Sequence, residues 1–371
     1  MAAKKTAVCA GCGAAFTAHY DVRHRLVRDL SCGDRRVFLD VPLWRVHCLW
    51  CGVTTEALDW LADLPRYTRR FALFVGYRCH DSAVTDVAEE LNLDWRAVKQ
   101  LDKLYMREQL QRAGSVSPQV IGVDEIAIAA HHQYRIVVSD LDLKRPIWFG
   151  GVDRSEASLD AFYQWLGPQK SSQIRLVVMD MWKAFRASTL KVGHAPQARI
   201  VYDKFHLLRH LNEAVDRVRK QEYKRLSGDD RRYIKGKKYT LLTRWGNLTS
   251  DGRAALRELF RINQRLNKAY LLKESFERLW DYVRPVWARR FFEQWRGSLR
   301  WQRLGPLERF AKLVDSHWDG VEAYCHPENK VALGFVEGLN TKIRVIQRRA
   351  YGFHDEDYLR LKILTCNLPK L

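Results

Sequence analysis

Hydrophobic and polar positions along the chain change period several times, and each change predicts a different element. "RRVFLDVPLWRVHC" (35–48) is strand-like. From Asp81, "DSAVTDVAEELNLDWRAVKQLDKLYM" sets Val84, Val87, Ala88 and Leu91 at helical spacing. The pattern breaks at Asn92–Asp94 and resumes with Val98 and Leu101, as two helices around a tight turn do. Ala88 is small where the helices must cross, and Asn92 tolerates the left-handed backbone such a turn needs. The turn-rich "AGSVSP" (113–118) reads as a linker. Beyond it, "QVIGVDEIAIA", "QYRIVVSD" and "RPIWFGGVD" predict three strands in an antiparallel meander. "DRSEASLDAFYQWLG" predicts a helix with Asp153 as N-cap and Glu156 three residues on. "IRLVVMD" predicts a fourth strand, "MWKAFRAST" a short helix, "ARIVYD" a fifth strand and "FHLLRHLNEAVDRVRKQEY" a long helix. Near the end, Val336, Leu339, Ile343, Ile346 and Ala350 form an apolar stripe at steps of three and four.

Strand, strand, strand, helix, strand, helix, strand, helix is the element order of an RNase H-like fold. There the first and fourth strands are neighbours, so Asp124 on the first acquires Asp180, at the end of the fourth, as a partner. Two carboxylates a few Å apart repel unless a cation neutralises them, and magnesium or manganese, which prefer oxygen ligands, suit the purpose. A helix docked by the 336–350 stripe aims Glu337 at the same sheet, with Asn340, Thr341 and Arg344 on its side. Taken singly, a strand-end Asp is more often a cap and a helical Glu a solvated residue. In this order of elements the three read as one site.

Composition sharpens the picture. The chain has 371 residues, is 47% hydrophobic with 13 Trp, and carries a formal charge of +20 from 63 Lys and Arg against 43 Asp and Glu. Such an excess suits a polyanion, nucleic acid first. Residues 204–330 hold 29 Lys and Arg against 16 Asp and Glu, a net of +13 in helical text. No apolar run is long enough for a membrane span and no secretion signal is evident, so a cytoplasmic, nucleoid-associated protein without membrane contact is expected. Five of the eight cysteines lie in the first 51 residues. Cys9 and Cys12 ("CAGC") and Cys48 and Cys51 ("CLWC") form two knuckles able to hold one structural, tetrahedral zinc. Cys32 has no partner in this pattern, and His19, His24 and His47 are alternative ligands that the spacing does not demand. In the two-helix segment Trp95, Arg96, Lys99 and Gln100 are types that reach phosphates and base edges in a major groove.

The cysteine pairs, "GVDEIAI", "YRIVVSDLD", "MDMWKAF", "IVYDKFHLL", "AVDRVR" and "VEGLNTKIRVIQRRAYGF" together resemble the ISL3 family of DDE transposases of bacterial insertion sequences, over nearly the whole chain. The resemblance implies Asp124, Asp180 and Glu337 as the catalytic triad holding two magnesium or manganese ions. It gives Asp203 and His206 of "YDKFH" a supporting place, and adds Arg344, Arg348 and Arg349 as DNA contacts. His131 and His132 stand where it leads one to expect a Gly-His pair. The expected organisation is multidomain: a zinc ribbon (1–60), a helix-turn-helix (61–115), an RNase H-like α/β core with a mixed five-stranded sheet (116–206), an all-α insertion (207–330) and a C-terminal helix completing the core (331–371). The implied activity is metal-dependent phosphodiester hydrolysis and strand transfer on double-stranded DNA, at terminal inverted repeats and at a target, by a homodimer or larger assembly. Competing readings are a DNA-binding regulator with a silent sheet domain and a structure-specific nuclease.

Overall fold

A computed structural model describes residues 6–129, 133–331, 334–350 and 355–371; His131, His132 and part of the "YGFHDEDYLRL" segment lie outside them. The chain forms two compact units, Met1–Ser115 with Lys342–Leu371, and Val116–Thr341. The first division falls between Ser115 and Val116.

In the first unit, β1 (Ala7–Val8) pairs antiparallel with β2 (Ala15–Phe16). β3 (Asp21–Cys32), β4 (Arg35–Cys48) and β5 (Gly52–Thr55) form an antiparallel sheet in that order. Val27, Val41 and Leu43 bury one face of the long hairpin. Three helices follow: α1 (Arg69–Asp81), α2 (Val84–Leu91) and α3 (Trp95–Arg112). The turn between α2 and α3 is the expected one. Asn92 is left-handed (φ 50°, ψ 59°), and the Asp94 carboxylate caps α3 by accepting from the Arg96 N–H at 2.8 Å. The two-helix reading did not include α1, which adds Phe71 and Val75 to the core that Val87, Leu91, Val98 and Leu101 share. Its start is fixed by Asp29, buried on β3, which accepts from the Thr68 hydroxyl at 2.7 Å and pairs with Arg70; that guanidinium holds the carboxyl far below its ordinary range.

In the second unit, β6 (Val120–Ala129), β7 (Gln133–Asp140), β8 (Arg145–Gly150), β9 (Leu176–Met179) and β10 (Arg199–Tyr202) form one sheet in the order β8-β7-β6-β9-β10. β7 is antiparallel to β6 and β8, whereas β6, β9 and β10 run parallel. Between the strands stand α4 (Glu156–Leu166), α5 (Pro168–Ser171) and α6 (Lys183–Thr189). The N-cap of α4 is Ser155, not Asp153: the Ser155 hydroxyl accepts from the Ser158 N–H at 3.2 Å. The Asp153 carboxylate instead ties the preceding turn through the Ser155 N–H and the Ser158 hydroxyl.

α7 (Lys204–Arg225) leaves the sheet with Asp203 as its cap. It leads into α8 (Gly228–Lys235), α9 (Lys238–Leu242), α10 (Ser250–Ile262), α11 (Gln264–Phe276), α12 (Pro285–Ser298), α13 (Gly305–Ser316) and α14 (Trp318–Ala323). Phe276, Trp295 and Phe310 pack edge to face among them, with ring centroids 4.8 to 6.1 Å apart. The boundary expected at 206/207 therefore lies inside α7, because one amphipathic helix carries the chain from sheet to bundle.

The C-terminal segment is two helices, where one was expected. α15 (Gly334–Arg349) begins in the second unit, while its last eight residues and α16 (Glu356–Thr365) belong to the first. α16 packs through Tyr358 and Leu361 on Met106 of α3. Lys362 pairs with buried Asp102 at 2.6 Å, and Lys103 reaches Asp355 at 2.9 Å and Asp357 at 3.1 Å. No helix among the described residues is long and apolar enough to cross a membrane.

A Cβ on Gly76 of α1 would fall 2.2 Å from Cβ of buried Tyr105 on α3. The Gly76→Ala protein is therefore expected to lose about 1–3 kcal/mol of stability despite alanine's better helix propensity, as a lower urea midpoint will show.

Candidate functional site

The site begins with strand register. Gly122 of β6 lies opposite Val178 of β9, and Val178 opposite Val201 of β10. Two residues further along each of these parallel strands, and so on the same face, stand Asp124, Asp180 and Asp203. That face carries Val120, Leu176, Val178 and Val201, covered by Val336 of α15. Gly122 leaves room there, since a Cβ would come within 2.9 Å of Val336 Cγ2 and 3.0 Å of Leu141 Cδ2 and oblige those side chains to shift. Three aspartates thus form a row across three adjacent strands, Asp124 within β6 and Asp180 and Asp203 each one residue past the ends of β9 and β10.

Their surroundings are those of an anion site short of positive charge. Asp124 is 8% exposed; its Oδ1 accepts from the Glu125 N–H at 2.8 Å and its Oδ2 from the Asn340 amide at 2.6 Å. Burial raises its pKa and the Asp180 charge adds to this, against the opposing pull of His206 and the Asn340 hydrogen bond. Burial, with help from Asp124 and Asp180, raises Asp203 to about 6, although its Oδ1 accepts from the Phe205 N–H at 2.9 Å. Asp180 accepts from the Met181 N–H at 2.6 Å. The first turns of α7 bring His206, with Nδ1 3.7 Å from Asp180 and 3.9 Å from Asp203, and Arg209, 3.9 Å from Asp180. The His206 Nδ1 is buried without a hydrogen-bond partner among the described residues. Carboxylates beside an imidazole nitrogen are the ligand types a hard divalent cation accepts, but their ligand atoms are not drawn together here as the cysteine sulfurs are.

Glu337 lies in the first turn of α15 and its side chain is exposed. The helix that carries it is anchored one turn on, where Asn340 donates to Asp124. The spacing of the sequence put Asn340 on the Glu337 side of the helix, but only the fold shows that it holds Asp124. Arg209 was missed for a similar reason, being one basic residue among many in α7. Trp182, two residues after Asp180, is half exposed and binds the loop before α4: its indole N–H donates to the Arg154 carbonyl at 2.7 Å, and the Arg154 guanidinium lies 5.7 Å from its ring while pairing with Glu125.

The four cysteines converge. Cys9, Cys12, Cys48 and Cys51 place their sulfurs within 4.8 Å of one another, the one such group of metal-ligating side chains among the described residues. Backbone N–H groups of Trp50 and Cys51 lower Cys48 to about 7, while the neighbouring Cys12 sulfur raises Cys51 to about 12. Thiols so crowded favour a bound cation, and the set fits tetrahedral zinc. His24 instead pairs with Asp40 at 3.0 Å, and Cys32 is exposed on the hairpin.

On α3, Trp95, Arg96 and Gln100 are exposed, whereas Lys99 is engaged by Asp355 at 2.7 Å. Arg344, Arg348 and Arg349 are exposed on α15, with Arg349 donating to the His80 carbonyl at 3.0 Å.

A helix-turn-helix followed in the chain by a mixed sheet that carries a row of acids is the organisation of a DNA-binding protein. A family model described as "Transposase", of the ISL3 DDE type, matches residues 121–363, and one described as "Helix-turn-helix domain of transposase family ISL3" matches residues 56–106. The chain is 35% identical over 364 residues to the transposase for insertion sequence element IS1001 of Bordetella parapertussis, covering 97% of this chain and 88% of that one. It is 26% identical over 356 residues to the transposase for IS1557 of Mycobacterium tuberculosis, covering 90% and 79%. The chain belongs to the ISL3 family of insertion-sequence transposases.

Because folding raises the Asp203 pKa, the native protein keeps a proton that the unfolded chain releases between about pH 4 and 6, so its stability falls as pH rises through that window and stays lower above it. Asp203→Asn, which keeps the helix cap, is expected to stabilise the magnesium-free protein by about 1–3 kcal/mol at pH 7.5 and to lose that advantage near pH 4, measured by denaturant melts.

Proposed function

We propose that this transposase cuts the ends of its element and joins them to target DNA at an RNase H-like site in which Asp124, Asp180 and Glu337 are the metal-binding triad. The observation that carries the reading is the aspartate row: Asp124 and Asp203 are buried beside part-buried Asp180, no cation lies within hydrogen-bonding range of them among the described residues, and burial raises the pKa of both buried acids. The sheet order, with β6 central, β7 and β8 antiparallel beside it and β9 parallel on its other side, supports the RNase H-like assignment.

Asp124 and Asp180 would hold magnesium or manganese, Glu337 would complete the set from α15, and His206 and Asp203 would support it. When bound, two such ions supply Lewis-acid charge at the attacking and leaving oxygens of an in-line displacement. The chain's own residues do the positioning. The Glu125 and Met181 N–H groups and the Asn340 amide fix the carboxylates, and Arg209 brings positive charge for a phosphate. Water first attacks the phosphodiester at the element end and releases a 3'-hydroxyl. That hydroxyl then displaces a 3'-oxygen in the target strand, so the number of phosphodiester bonds is conserved in the joining step. The protein forms no covalent intermediate. The cysteine cluster takes one structural zinc and stabilises the ribbon, and the helix-turn-helix reads the terminal repeats. Holding two ends calls for at least a homodimer.

Asp124→Asn, Asp180→Asn and Glu337→Gln are each expected to lower magnesium-dependent cleavage of a terminal-repeat duplex by roughly a hundredfold or more while leaving binding intact; cleavage retained in any one of them removes that residue from the triad. Strand-transfer products in the same gel separate a transposase site from a nuclease site, and binding without cleavage by the unaltered protein would favour a regulator. In mobility shifts, Arg96→Ala and Gln100→Ala should each weaken repeat binding by about 1–3 kcal/mol. Lys99→Ala should do less, because Asp355 already holds that charge.

A further inference from the structure

The connection between α12 and α13 holds a tryptophan in a conformation and an exposure that packing does not favour. Trp301 is 89% exposed. It sits at φ 67°, and Arg303, two residues on, at φ 53°, a left-handed backbone that non-glycine residues rarely adopt. The loop is nonetheless pinned on both sides, by Leu299 (3% exposed) and Leu304 (fully buried).

A buried ionic clamp fixes its middle. Glu222 of α7, 5% exposed, accepts from the Arg265 Nε at 2.8 Å and the Asn263 amide at 3.0 Å. The same Arg265 guanidinium donates to the carbonyls of Arg303 at 2.7 Å and Gln302 at 3.5 Å. The fold thus holds a large apolar ring out in solvent on a rigid mount. Arg300 and Arg303 flank it, both exposed and without an ion-pair partner among the described residues.

We infer that Arg300, Trp301 and Arg303 form a stacking site for an unpaired DNA base, with the indole against the base and the guanidiniums on the adjoining phosphates. A flat aromatic surface between two free cations matches a nucleotide, and bases inside a duplex already have both faces covered. The ligand is therefore a strand opened or frayed near the cut. This inference rests on the DNA-cleaving role proposed above.

The test uses the full chain without magnesium and duplexes carrying 2-aminopurine either within paired terminal-repeat DNA or in an unpaired overhang. The wild-type protein should quench the overhang probe and leave the paired one little changed. Trp301→Ala should abolish the quench and bind the overhang DNA about tenfold more weakly, with repeat-duplex affinity unchanged, and Trp301→Phe should restore much of both. Arg300→Ala and Arg303→Ala should each reduce the salt dependence of overhang binding by a slope of about one. An unchanged melting temperature for Trp301→Ala shows that the exposed ring is no part of the core. Equal quenching by Trp301→Ala and wild type overturns the site. So does a change in oligomeric mass with no change in the quench, which would make Trp301 a protein contact. The Asp124→Asn protein should quench as wild type does, so a wrong triad and a wrong stacking site give different results.

Discussion

The parallel register of β6, β9 and β10 is the constraint on which the site depends. Gly122, Val178 and Val201 stand opposite one another, and this alone brings Asp124, Asp180 and Asp203 to one level and one face. A slip of one residue in β9 would turn Asp180 to the other side of the sheet, where Ile121, Val123, Val177 and Met179 are buried. The apolar residues just before each aspartate hold the register, so core packing and the placing of charge are one event.

Burial then gives the row its chemistry. Carboxylates this poorly hydrated are costly when ionised together, which the raised pKa values of Asp124 and Asp203 express. The same cost recurs elsewhere with a different answer. Asp29 is also buried, but Thr68 and Arg70 satisfy it and its pKa falls. Asp102 lies under Lys362 and Tyr358. Those acids tie helices together, whereas the row on the sheet has, among the described residues, only His206 and Arg209 at ion-pair distance, beyond hydrogen-bonding range.

Glycine at two positions shows how closely the elements approach. Gly122 leaves room for Val336, so that α15 lies on the sheet near enough for Asn340 to reach Asp124. Gly76 does the same for α1 against Tyr105 beneath the helix-turn-helix. Each marks a close approach, the tighter at Gly76, where the neighbouring atom is a Cβ.

Much of this was legible in the chain itself. Local period and turn chemistry determined β4 and the five strands of the central sheet, the left-handed Asn92 between α2 and α3, the paired cysteine knuckles and the aspartate that closes each of "VIGVD", "LVVMD" and "RIVYD". These depend on a few neighbouring residues, so sequence suffices for them. Tertiary structure alone decided that the three aspartates share a level, that Asn340 holds Asp124 and that Lys99 is taken by Asp355. It also decided that the last helix packs on α3 and that Arg265 props Trp301 outward. Each of these joins residues far apart in the chain, and such pairs meet only when strand register and helix crossings bring their elements together.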